Sequence, residues 1–237
     1  MSRVLLISNS TLHGRGYLDH AETEIRQLLG SARRVIFIPF ALADRDAYAA
    51  KAAERFAAFG YELTSIHQAA DPWQAIESAD AIFVGGGNTF RLLNALYDHE
   101  IFSLIRRRVT TGMPYIGSSA GSNVAGPTIK TTKDMPIVEP PSFAALGLVP
   151  FQISPHYLDP DPRSTHMGET QEERIRQFHE ENATPVAGLR EGAMLVCEGG
   201  RYSLRGVAGA RLFRQGREPV ETMPVADVTE LLAPEAA

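Results

Sequence analysis

Through the first half of the chain, short apolar runs alternate with stretches whose apolar positions recur at helical spacing. The segments at 4–7, 35–38, 62–66 and 81–84 have strand length. The spacing predicts helices over 20–29, 47–59, 73–78, 89–96 and 101–108, with Gly60 ending the second and Pro72 opening the third. Apolar strands separated by helices predict a parallel sheet buried on both faces. Right-handed crossovers then bring the carboxyl ends of the strands to one edge, and ligands bind outside that edge.

After residue 149 the pattern changes. A helix is predicted over 170–180, opened by Thr170-Gln-Glu-Glu173, a capping box in which threonine and glutamate satisfy each other's free N–H groups. Short strands follow at 186–189, 194–197, 202–205 and 211–213, with turn signals at Gly199-Gly200 and Gly216. The fold class is α/β: three layers, a mostly parallel sheet with helices on both faces, and an antiparallel C-terminal extension of that sheet. No linker, repeat or low-complexity segment interrupts the chain, so residues 1–237 read as a single domain.

Composition narrows the function. With 237 residues, 44% hydrophobic, the chain can bury a sizeable core. A net charge of −5 and the lack of a concentrated basic patch argue against a nucleic-acid partner. The densest basic run, Arg106-Arg107-Arg108, falls at the end of a predicted helix, where solvent suits it. No apolar stretch has membrane-spanning length, and the first residues read as a core strand rather than a signal peptide. The single cysteine, Cys197, excludes an intrachain disulfide, which suits a reducing cytoplasm. It lies in an apolar run and is expected to be a buried thiol. No histidine or cysteine pair has metal-ligand spacing, so no metal is expected.

Three stretches carry candidate chemistry. Gly117-Ser118-Ser119-Ala120-Gly121 follows an apolar run and fits G-x-S-x-G, the pattern that exposes a serine on a sharp strand-to-helix turn. Ser119 is the candidate nucleophile, and a plain glycine-serine loop is the alternative. Gly85-Gly86-Gly87-Asn88-Thr89 also joins a strand to a helix. It suits an oxyanion-hole donor, a phosphate cradle or an ordinary tight turn. His156 ends the strand-like run Phe151-Gln-Ile-Ser-Pro155, on the edge where Ser119 is expected. It is the candidate general base, with an idle turn histidine as the alternative. His13, His20, His67, His99 and His179 lie in polar surroundings and are expected at the surface; His166 is undecided. For the orienting acid, Glu191 and Asp134 both stand in turns, and triads occur in unrelated chain orders, so both remain open.

Taken together, these stretches resemble peptidase E, the α-aspartyl dipeptidase family of serine peptidases. The matching pieces run in order along nearly the whole chain. They are Leu6-Ile-Ser-Asn-Ser-Thr11, Val35-Ile-Phe-Ile-Pro-Phe40, Val84-Gly-Gly-Gly-Asn-Thr-Phe90, Gly117-Ser-Ser-Ala-Gly121, Thr131-Thr-Lys-Asp-Met-Pro-Ile137, Pro155-His156, Gly168-Glu-Thr170 and Glu191-Gly192. The resemblance implies a glutamine-amidotransferase-like fold with serine in place of the usual cysteine, and cofactor-free hydrolysis of dipeptides with N-terminal aspartate. It implies Ser119 as nucleophile, His156 as base, Glu191 and Asp134 as catalytic carboxylates, and the N–H groups of Gly87 and Ala120 as oxyanion hole. It also implies a small peptide as partner, with monomer and homodimer both open.

The chain departs from the family pattern at two positions. Ser118 stands where tryptophan is common, which is expected to alter the pocket wall. Gln171 stands where arginine is common and removes a charge that would suit a substrate carboxylate, so relaxed selectivity is expected; Arg163 or Lys133 would be substitutes. The other readings are a cyanophycinase-like peptidase cutting β-linked Asp-Arg and an inactive binding protein on the same scaffold.

Overall fold

The apolar runs form the centre of the molecule. The computed structural model describes residues 2–165 and 167–234. Its first half contains β1 (Arg3–Ile7), α1 (Glu22–Leu29), β2 (Arg34–Ile38), α2 (Arg45–Ala58), β3 (Glu62–Ser65), α3 (Pro72–Ser78), β4 (Ala81–Val84), α4 (Thr89–Asp98), α5 (Phe102–Thr110), β5 (Tyr115–Ser118) and α6 (Ala120–Asn123). Then follow β6 (Gln152–Ser154), α7 (Gln171–Glu181), β7 (Val186–Leu189), β8 (Ala193–Glu198), β9 (Arg201–Gly206), β10 (Ala210–Phe213), β11 (Val220–Thr222), β12 (Ala226–Asp227) and α8 (Thr229–Leu232).

The main sheet has the order β12-β9-β8-β1-β5-β4-β2-β3. From β1 to β3 every pairing is parallel. Side chains alternate between faces, and both faces are apolar. Leu5, Ile7, Val35, Phe37 and Phe83 pack with Ile25 of α1 and Ala52 and Phe56 of α2. Val4, Leu6, Ile36, Ile38 and Val84 pack on the other face with Leu92 and Leu96 of α4 and Leu104 of α5. The three layers follow directly from this double-sided apolar pattern.

The antiparallel extension consists of β8, β9 and β12, which add to the free edge of β1. β7 and β10 do not join it. They belong to a second sheet of order β11-β10-β7-β6, in which β6 and β7 are parallel. With β8 occupying the edge of β1, β7 pairs instead with β6 and β10. Ile153, Ala187, Leu189 and Leu212 of this sheet pack into the same core as α4 and α5. On its other side Val186 and Phe213 meet Ile175 of α7. Thr170 and Glu173 form the expected capping box at the start of α7.

Between α6 and β6 the chain has neither strand nor helix, apart from a bridge between Thr128 and Ala144. It is held by burying Val124, Ile129, Leu146 and Val149. Cys197 is buried in β8, and burial pushes its thiol pKa up. Among the described residues, no helix is long and apolar enough to cross a membrane.

Candidate active site

β5 ends in the sharp turn that the glycine pattern foretells. Ser119 sits at φ 52°, ψ −110°, a backbone conformation that L-residues avoid. Such positions cost roughly 1–3 kcal/mol and persist only where the surroundings hold them. Here the Ser119 N–H donates to the Ile7 carbonyl at 3.0 Å, and the Ser119 carbonyl accepts from Ser122 and Asn123, both at 2.9 Å. Gly121 is required because a Cβ there would lie 2.1 Å from the Val84 carbonyl oxygen. The strain therefore lifts one hydroxyl above the carboxyl edge of the sheet.

Ser119 Oγ lies 3.0 Å from His156 Nε2, and His156 Nδ1 lies 2.8 Å from Glu191 Oε1. The carboxylate can only accept, so Nδ1 carries the proton and Nε2 presents its lone pair to the Ser119 hydroxyl. The side chains of His156 and Glu191 are 39% and 51% exposed, so the pair bears no large desolvation cost.

His156 is itself held in the left-handed region, at φ 52°. Its N–H donates to Ser8 Oγ at 2.9 Å, while its carbonyl accepts from Lys133 Nζ at 2.8 Å and from Gln171 Nε2 at 3.3 Å. Ser8 in turn donates to the Leu189 carbonyl, and Asn9 Oδ1 accepts from the Gly192 N–H at 2.7 Å. Ser8 and Asn9 thus brace both His156 and the Glu191 turn. Neither residue stands out in the sequence as a site residue. The available signal was a polar run closing an apolar strand on the ligand edge.

Gly86 donates its N–H to the Tyr48 hydroxyl at 2.8 Å. The N–H groups of Gly87 and Ala120 meet no acceptor among the described residues. Gly87 has φ 136°, and a Cβ there would lie 2.6 Å from the Ala41 carbonyl oxygen. A cavity of about 560 Å³ opens over this group, lined by Tyr17, Leu42, Tyr48, Gly87, Ser119 and His156, with Asp44 and Lys51 of the α2 region also on its wall. It has room for a small peptide.

Other sequence candidates fall outside this hydrogen-bonded chain. The Asp134 carboxylate accepts from Thr89 N (2.7 Å), Thr89 Oγ1 (2.6 Å) and Thr132 Oγ1 (3.2 Å) and has no bond to His156. It caps α4 and fixes its own loop. Gln171 spends its amide on backbone, accepting from the Leu158 N–H at 3.0 Å while donating to His156. Its place is behind the histidine segment, not over the cavity. The Arg163 side chain is 91% exposed and bonds to Asp161, away from the cavity lining. Ser118 is fully buried at the end of β5 and forms no part of the cavity wall, because alternation turns it away from Ser119. Lys133 has an exposed surface, yet desolvation of its ammonium lowers its pKa to about 8, against the pull of Asp134 and Glu191.

The remaining histidines sort differently from expectation. His13 and His99 are exposed, with His99 stacked on Phe40. His67 is half-buried between Ser65 and Asp46. His20 and His179 are buried, and burial lowers both pKa values. His166 lies outside the described residues. Among the described residues no cluster of histidine, cysteine, aspartate and glutamate could hold a metal ion.

Comparison with known proteins converges on one family. The model of "Peptidase family S51" matches residues 4–205. A protein named "Peptidase E" from Streptomyces coelicolor is 54% identical over 229 residues, covering 97% of this chain and 94% of that protein. A "Probable alpha-aspartyl dipeptidase" from Drosophila melanogaster is 47% identical over 232 residues, 97% of each chain. The crystal structure of a putative peptidase E protein from Listeria monocytogenes shares the fold, with TM-score 0.67 at 22% identity, covering 88% of this chain and all of that one. Because the family match runs from β1 into β9 and takes in every segment that meets at Ser119, this chain belongs to peptidase family S51 and is a serine-type peptidase.

Proposed function

We propose that the protein hydrolyses dipeptides with N-terminal aspartate through an acyl-enzyme on Ser119. The observation that carries this reading is the unbroken chain Ser119–His156–Glu191, which opens on a cavity of peptide size. The substrate class comes from the relative named as a probable alpha-aspartyl dipeptidase.

In this reading Ser119 Oγ attacks the peptide carbonyl carbon as its proton passes to His156 Nε2. The imidazolium is stabilised by Glu191. The carbonyl oxygen becomes an oxyanion, received by the N–H groups of Gly87 and Ala120. The C–N bond then breaks, and the amine leaves with the proton from His156. Water attacks the resulting aspartyl ester, gives its proton to His156, and releases aspartate as Ser119 regains its hydrogen. Asp134 acts on this sequence only by fixing the loop beside α4. Gln171 is bound to backbone behind the histidine segment and takes no part in reading the substrate's side chain, and relaxed selectivity for the N-terminal residue belongs to this reading.

The test is turnover of Asp-Leu. The wild type should release aspartate and leucine, and Ser119→Ala should keep the fold and lose activity on the order of 10³-fold or more. A folded Ser119→Ala protein with near-normal turnover would end the acyl-enzyme reading. Turnover of β-Asp-Arg without Asp-Leu would move the substrate to the cyanophycinase type.

A further inference from the structure

The cavity over Ser119 carries two charges that the proposed chemistry does not use. Asp44 and Lys51 both line it, seven residues apart on one face of the α2 region. Lys51 is the one lysine or arginine among the lining residues. It makes no hydrogen bond or ion pair among the described residues, and its Nζ lies 4.8 Å from the centre of the Tyr17 ring. A ring face attracts an ammonium without neutralising it, so the charge stays available to a ligand. Nearby cations are committed elsewhere: Arg55, one turn further along α2, pairs with Asp19 and Glu22, and Lys133 donates to the His156 carbonyl. Asp44 uses Oδ1 to cap α2 at the Ala47 N–H, leaving its second oxygen free.

Helix rise separates positions seven residues apart by about 10 Å. An extended dipeptide measures about 7 Å from its ammonium to its carboxylate, and an ion pair at each end adds about 3 Å, so the two groups that hold it stand about 13 Å apart; the flexible four-carbon stem of Lys51 covers the difference from the helix rise. A single aspartyl residue, with its ammonium and side-chain carboxylate close together, cannot span that gap. The aromatic wall of Tyr17 and Tyr48 leaves room for a variable leaving side chain. We propose that Lys51 binds the free C-terminal carboxylate of the dipeptide while Asp44 faces its N-terminal ammonium, so that α2 measures substrate length. This inference rests on the dipeptidase reading above.

Three substrates test it: Asp-Leu, Asp-Leu amide and aspartyl 4-nitroanilide, the last two lacking a terminal carboxylate. In Lys51→Met, kcat/KM for Asp-Leu should fall about tenfold or more, while both carboxylate-free substrates keep their wild-type values. Lys51→Arg should restore most of the loss. Lys51 is exposed, and retained nitroanilide turnover reports an intact fold and catalytic group. Equal losses on all three substrates, or no loss on Asp-Leu, would overturn the length-measuring role while leaving the dipeptidase intact. A wild type that cleaves none of the three removes the dipeptidase reading, and this inference with it.

Discussion

Two carboxylates that look alike in sequence have different surroundings. Glu191 has one specific partner, the Nδ1–H of His156, and is half-exposed. Asp134 accepts three hydrogen bonds from two threonines, one of them at the first residue of α4. Removing each should therefore fail in a different way. Glu191→Gln should leave thermal stability unchanged and lower kcat by on the order of 10²-fold or more, because imidazole orientation and imidazolium stabilisation are both lost. Asp134→Ala removes a cap, worth about 1–2 kcal/mol, which lowers Tm by roughly 2–8 °C in a chain of this size. Calorimetry alongside Asp-Leu kinetics separates the two. An Asp134→Ala protein as stable as wild type and as inactive as Glu191→Gln would reverse the assignment. Sequence patterns could point to both turns but not choose, since the choice depends on which turn folds back onto His156. The same limit explains His20 and His179, whose local sequence is polar while their burial comes from distant residues.

At the level of elements, the centre of the main sheet was legible because β1, β2, β4 and β5 are buried on both faces. A strand such as Ala81–Val84 has no polar position to disguise it, and the helices between strands have clear stripes. The second sheet was not legible as a separate unit. Short strands signal their existence through composition, but pairing is decided by which edge is free, and β8 takes the edge of β1. Joints between elements also carry titratable groups. Asp80, in the turn entering β4, accepts from the Arg33 and Arg34 N–H groups and pairs with the Arg34 guanidinium. These bonds lower its pKa from 3.8 to about 2. A depressed folded value means that its contribution is fully present above about pH 4 and is lost as pH falls through 2. With 34% of the side chain exposed, screening trims that contribution to about 1 kcal/mol. Asp80→Asn should unfold more readily than wild type at pH 7, and the two denaturation curves should converge near pH 2. A gap that persists unchanged at pH 2 would show that the carboxylate's charge is not its source.

On the scale of the whole molecule, the candidate site is a seam. Ser119 rises from the main sheet after β5, whereas His156 and Glu191 follow β6 and β7 of the second sheet. The hydrogen bonds from Ser119 to Glu191 can form only if the two sheets dock in one register. Asn123 helps by donating to the Ile153 carbonyl at 2.8 Å. Ser8 is the closer link. From the end of β1 its fully buried hydroxyl accepts from the His156 N–H and donates to the Leu189 carbonyl, both at 2.9 Å. One hydroxyl therefore ties the first strand to the segments that carry His156 and Glu191. Ser8→Ala removes it and leaves the His156 N–H without its partner, while the Leu189 carbonyl keeps its bond from the Tyr157 N–H, at a cost of about 1–3 kcal/mol. Tm should fall by roughly 2–4 °C per kcal/mol. Kinetics should distinguish a seam from a merely structural contact. His156 carries a positive φ that its neighbours must maintain, so losing the Ser8 bond lets the ring drift from Ser119. The expected result is a fall in kcat of about tenfold or more with KM nearly unchanged, since a 1 Å displacement of a catalytic group can cost 10²-fold. A Ser8→Ala protein with lowered Tm but wild-type kcat would mean that the second sheet holds His156 and Glu191 in place without help from β1.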